Sequence, residues 1–271
     1  LSQAFFPAYP LLVRAVGVIL PIDVALVVVS WTMAVVATII LYLWAREELQ
    51  RLKVFDPSTV SWRFLLIIAL FPTSFFMVLG YTESMFVALT AGSLLAYRRQ
   101  QYLFAGVIAA LASATRVTGF LLAVFFIVDY YQSRPHTHQV KLLPVVLTPL
   151  GLVLFMLYQW VRFGSPFSFI TAQQHWYLLD SRWDVFISTI TIISIGSLTI
   201  FTILTWLVYK YLDKSYFFYC LSAGLLCVAS GRLTSFNRYI LALPPLFLAL
   251  AIVWPRIPRP ARYGLLFLSI D

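Results

Sequence analysis

Charge is what this chain has least of. Only 11% of its 271 residues are Asp, Glu, Lys or Arg, against roughly a quarter in globular domains. No polar stretch is long enough to fold by itself, which excludes an ordinary soluble domain. Cysteine is nearly absent. Cys220 and Cys227 fall seven apart on one predicted helix, about 10 Å between Cα atoms, so they do not pair and say nothing of redox compartment. Of three histidines, His136 and His138 have no matching ligands around them, and no metal site or cofactor is expected. A P-loop, a GxSxG elbow, an HExxH pair and a dinucleotide fingerprint are all missing, which excludes the chemistries those motifs perform. There is no repeat of fixed period and no low-complexity segment.

What is present is apolar. Hydrophobic residues make up 62% of the chain, in recurrent runs of about 18 or more, the pattern of multiple transmembrane helices. The expectation is an all-α polytopic membrane protein forming a single transmembrane domain over residues 1–271. Complete spans are predicted at 22–45, 62–80, 83–97, 102–115, 117–131, 141–161, 185–209, 215–231 and 238–254, about nine in all. A partial span begins near 263. Residues 1–20, broken by Pro7 and Pro10 and carrying Arg14, read as an interfacial or re-entrant segment. Gly106, Ala109, Ala110, Ala112, Ser113 and Ala114 would let helices approach closely. The chain opens on Leu1 and stops at Asp271 within an apolar run, so both ends read as cut.

The net charge of +9 does not point to nucleic acid, because the basic residues alternate with apolar segments instead of forming one patch. They set topology. Arg46, Arg51, Lys53, Arg63, Arg98, Arg99, Arg134, Lys141, Lys210, Lys214, Arg256, Arg259 and Arg262 fall on one set of loops. Arg14, Arg116, Arg162, Arg182, Arg232 and Arg238 fall on the other, smaller set. The positive-inside rule places the larger set in the cytoplasm. The compact loops favour a bacterial plasma membrane over the endoplasmic reticulum.

Against that background a few polar residues stand out, all on the outer side. Glu83 follows Thr82 at a predicted helix start, either as a first-turn acid facing the helix dipole or as a chemical group. Arg116 in SATRVTG either snorkels to headgroups or binds phosphate through its planar fork. Gln173 and His175, in SPFSFITAQQHW, suit sugar hydroxyls or belong to a solvated loop. Arg238, before YILALPP, grips a second anionic group or anchors a helix end. Ionisable groups at membrane depth face a protein interior or a wet cavity and mark function by default.

FFPAYPLLVR (5–14), FPTSFF followed by YTESMF (71–86), SATRVTG (113–119), SPFSFITAQQHW (165–176) and RYILALPP (238–245) together resemble the PIG-V-like mannosyltransferases. That family includes the eukaryotic enzyme adding the second mannose of the GPI anchor, and prokaryotic relatives. The resemblance implies a GT-C type glycosyltransferase. Its donor would be a polyprenyl- or dolichyl-phosphate sugar, used on the extracytoplasmic face, and its acceptor a glycan or glycolipid. It implies a catalytic Asp in a Trp-Asp motif upstream of Leu1, so the catalytic residue is unknown here and Glu83 is the candidate within the chain. It also implies that this piece alone is inactive. Arg116 and Arg238 would contact phosphate, and Glu83, Gln173 and His175 the sugar or acceptor. The alternatives are a lipid-linked-sugar transporter or flippase, or a non-catalytic subunit of such an enzyme.

Overall fold

The computed structural model describes residues 3–133, 139–174, 183–230 and 236–258. Every regular element among them is helical: α1 (Ala8–Val16), α2 (Ile22–Arg51), α3 (Pro57–Leu70), α4 (Glu83–Arg98), α5 (Tyr102–Ser113), α6 (Leu122–Gln132), α7 (Leu143–Leu147), α8 (Leu150–Phe163), α9 (Ser168–Gln174), α10 (Trp183–Tyr211), α11 (Lys214–Ala229), α12 (Phe236–Leu241) and α13 (Pro244–Val253), with short 3₁₀ turns at Pro72–Met77 and Val117–Leu121. Among the described residues, two stretches, Ile22–Arg51 and Gln139–Phe163, are long and apolar enough to cross a membrane.

Proline explains where the expected spans break. The helix expected over 62–80 ends at Leu70, because Phe71 precedes Pro72 and is extended, with φ −68° and ψ 131°. A residue before proline is sterically pushed out of the α region. Leu243, before Pro244, divides 238–254 into α12 and α13 in the same way. Pro149 separates α7 from α8, since it has no N–H to give the preceding turn. The 117–131 segment begins as a 3₁₀ turn. At its N-terminus α3 is capped by Asp56, whose Oδ1 accepts from the Thr59 amide. Hydrogen bonds from Thr59 hold that carboxyl below the usual carboxylate range. The cap is therefore present at neutral pH and is lost only as pH falls through the lowered value.

α4 is the central helix. Fourteen of its 16 residues are buried, and it packs against α2 on one side and α5 on the other. One apolar core runs from α2 to α13 around it. Trp44 of α2, Phe64 of α3, Phe125 of α6 and Tyr216 of α11 stack through that core, with ring centroids 4.7–6.0 Å apart. The outside is also apolar. Val24, Val28, Trp31, Val35 and Ile39 form an exposed stripe on α2, and Val153, Leu154, Leu157, Trp160 and Val161 are exposed on α8.

The small residues of α5 do allow close approach, and α8 uses it through Gly151. A Cβ there would overlap the Ala110 carbonyl oxygen and fall 2.5 Å from Ser113 Oγ. Ser113 Oγ in turn donates to the Thr148 carbonyl at 2.7 Å, so neither side can give way cheaply. Gly151→Ala should cost about 1–3 kcal/mol, the range for overpacking, read as thermal unfolding in detergent. Gly196→Ala is the control, with nothing within 4 Å of the added methyl. Equal stability of the two variants would show that the contact is not tight.

Candidate functional site

The site is built at the start of α4. Gly80, with φ +77°, turns the chain in a conformation that costs glycine little, and three residues later Glu83 enters the helix with no solvent exposure. Thr82 makes no side-chain capping bond. Glu83 is therefore not held merely as a first-turn acid; its carboxylate is taken up by two arginines. Arg116 sits in extended backbone between α5 and the Val117–Leu121 turn, and its Nη1 donates to Glu83 Oε1 at 2.8 Å. Arg238 of α12 donates to the same oxygen through Nε at 2.9 Å and also through Nη2. The side chains of Arg116 and Arg238 are 14% and 25% exposed.

Aromatic faces flank both guanidinium groups. Arg116 lies over Tyr239 at 5.2 Å and Phe86 at 5.8 Å, and Arg238 over Phe76 at 4.1 Å and Tyr81 at 4.7 Å. Such contacts stabilise a desolvated cation by up to about 2 kcal/mol. The neighbouring segments are tied in as well. The Ala8 amide donates to the Ala114 carbonyl at 3.1 Å, and the Tyr9 hydroxyl pairs with Ser30 Oγ at 2.7 Å. Thr73 Oγ1 donates to the Asn237 carbonyl at 3.3 Å.

One carboxylate faces two guanidiniums, so the trio carries a net charge of +1 in a mostly buried setting. Glu83 Oε2 is buried and accepts no hydrogen bond among the described residues, and nearby Ser84 Oγ, Thr118 Oγ1 and Asn237 Oδ1 are also unpartnered. Buried polar groups normally find partners. A net-positive cluster with spare polar atoms is suited to an anion, and the fork geometry of arginine matches phosphate.

No protein-family model, curated protein or solved structure matches this chain. Its chemistry has to be read from its own residues.

Glu83, Arg116 and Arg238, singled out in the sequence, converge on one point. The Gln173 side chain and all of His175 lie outside the described residues, as do His136 and His138. No group of three or more His, Cys, Asp or Glu that could hold a metal occurs among the described residues. Cys220 and Cys227 are buried free thiols on α11. Phe76, Phe86 and the ring of Tyr239 carry no signal in the sequence, since aromatic residues at 17% of the chain are too common to mark a cation partner.

A second ionic cluster, not anticipated at all, closes the other end of α4. Arg98 donates through Nε to Glu48 at 3.0 Å, through Nη1 to Asp129 at 2.9 Å and through Nη2 to Asp213 at 2.8 Å. Arg51 also pairs with Glu48 and Asp213. The Tyr216 hydroxyl donates to Glu48 at 3.1 Å and accepts from the Trp44 indole at 3.2 Å. A cavity of about 350 Å³ opens beside it, between Arg98, Asp129 and Lys141.

Proposed function

We propose that the chain is a multi-pass membrane glycosyltransferase of GT-C type, with about nine spans and an interfacial N-terminal segment. It would move a sugar from a polyprenyl- or dolichyl-phosphate donor to a glycan or glycolipid acceptor on the extracytoplasmic face. Mannose is the sugar that the resemblance to PIG-V-like mannosyltransferases implies. The observation that carries the reading is the pair of largely buried guanidiniums gathered on one buried glutamate with a positive charge in excess. The apolar outside and ionic inside of the bundle support the membrane setting, since large exposed apolar surfaces mark membrane or partner contact.

In this reading Glu83 is a positioning group. It holds both forks at one place in the ground state. As the acceptor hydroxyl attacks the anomeric carbon, it gives its proton to the carboxylate base that the family resemblance implies, and the bond to the lipid phosphate breaks. Arg116 and Arg238 then share the departing phosphate's charge through their remaining N–H groups, electrostatic help of the kind that preorganised donors give. Arg116→Ala in the complete protein should lower transfer about 10²–10³-fold, the range for losing one such donor. The measurement is sugar transfer from the lipid-phosphate donor in membranes, with protein level matched. Undiminished transfer would reject the phosphate role.

A second reading is a flippase or transporter of a lipid-linked sugar, favoured by the ionic cluster at the opposite end of α4. Clusters at both ends of one helix are what a protein that opens alternately to two faces would need. Passage of the lipid-linked sugar across reconstituted vesicles with no sugar transfer would favour it.

A further inference from the structure

Away from both clusters, a groove of about 730 Å³ lies where the α2–α3 turn meets the ends of α10 and α13. Four cations line it, Lys53, Arg63, Lys210 and Arg256, against one acid, Asp56. No carboxylate among the described residues comes within ion-pair distance of any of the four. Asp56 is turned toward the Thr59 amide as the α3 cap. Arg63 is oriented by its Nη1 donating to the Ala251 carbonyl at 3.1 Å. Lys210 Nζ sits 5.1 Å from the Trp206 ring and 5.5 Å from the Tyr211 ring.

The surroundings of the groove are those of a membrane interface. Trp206 and Tyr209 on α10 are each 54% exposed, and Phe55 at the rim is 95% exposed. Thr59, in the groove wall, shares a helical face with Trp62, Leu66 and Leu70. All three of these apolar residues stand exposed. The cationic pocket therefore continues directly into an apolar strip about 12 Å long along α3. A soluble anion would use the first of these features only; a phosphate attached to an acyl chain uses both.

We propose that this groove binds the phosphate headgroup of an anionic phospholipid, with an acyl chain lying along the exposed face of α3. The leaflet is the one at the Arg98 end of α4. The proposal rests on the membrane reading above and is independent of the glycosyltransferase reading. Basic pockets between helix ends are the physical basis of such headgroup recognition, because several cations in a partly desolvated site outcompete water for a phosphodiester.

The test uses the complete protein reconstituted in nanodiscs of phosphatidylcholine, with and without phosphatidylglycerol. Retained lipid is then counted by native mass spectrometry after release. Phosphatidylglycerol should be retained preferentially. The double substitution Lys210→Ala with Arg256→Ala, both at exposed positions, should weaken that preference about thirtyfold, as expected for two basic groups near an anionic headgroup. The substitutions should leave the melting temperature unchanged. Equal retention of the two lipids overturns the proposal, and so does retention that the double variant does not alter. Displacement of the lipid by millimolar glycerol phosphate or inorganic phosphate overturns the lipid assignment in favour of a soluble phosphate compound. A chain that stays in solution without detergent and never enters the nanodiscs overturns the membrane reading and this one together.

Discussion

Glu83→Gln should destabilise the protein by about 3–5 kcal/mol, the range for removing one partner of a buried ion pair. Glutamine keeps the size and one acceptor oxygen, so packing changes little. What disappears is the only negative charge that faces Arg116 and Arg238 among the described residues, and both side chains are largely withdrawn from water. Two like charges then share a poorly solvated space, each without its counter-ion. The measurement is reversible unfolding in detergent, or melting temperature where unfolding is irreversible. A double-mutant cycle with Arg238→Gln separates the pairwise contribution from simple loss of volume. In that cycle the double variant should be less damaged than the sum of the singles, because removing Arg238 relieves part of the repulsion. A fully stable Glu83→Gln would mean that the site takes up water readily and that its net charge is screened.

The second large effect lies at the other end of α4. Arg98→Met would leave Glu48, Asp129 and Asp213 with Arg51 as their remaining arginine, a carboxylate excess in and around the buried core. A loss of about 3–5 kcal/mol or more is expected on the same grounds. Arg98→Lys should fall between the two. Nε, Nη1 and Nη2 of Arg98 reach three different carboxylates, which a planar fork does and a single ammonium does not. A double-mutant cycle of Arg98→Met with Glu48→Gln separates charge from packing, and the double variant should be less damaged than the sum of the singles. Strict additivity would show that lost packing over Phe125 and Tyr216, not charge, is responsible.

The contrast between these clusters shows what the sequence made legible. Glu83 and Arg116 were conspicuous because each interrupts apolar sequence, and the alternation of basic loops put them on the same side as Arg238. Their convergence followed from that placement. Arg98, by contrast, ends its segment beside Arg99 and looks like one more topology charge. Glu48 sits in AREELQRLK, where alternating charges read as a solvated helix end. Nothing local distinguishes a charge that faces water from one that faces Tyr216, which is 168 residues away. The helix break at Leu243 was written in the following proline, but a strong apolar run hid it. Gly151 gave no signal, because its requirement comes from the α5 backbone.

α4 is fastened at both tips, by a carboxylate at its first residue and a guanidinium at its last. The fifteen-residue interval between Glu83 and Arg98 corresponds to about 22 Å, and each added or deleted residue would rotate one tip by about 100° against the other. The loops of this protein can drift in length, but this segment is a ruler. The spacing between its two charged crypts is set by that one count.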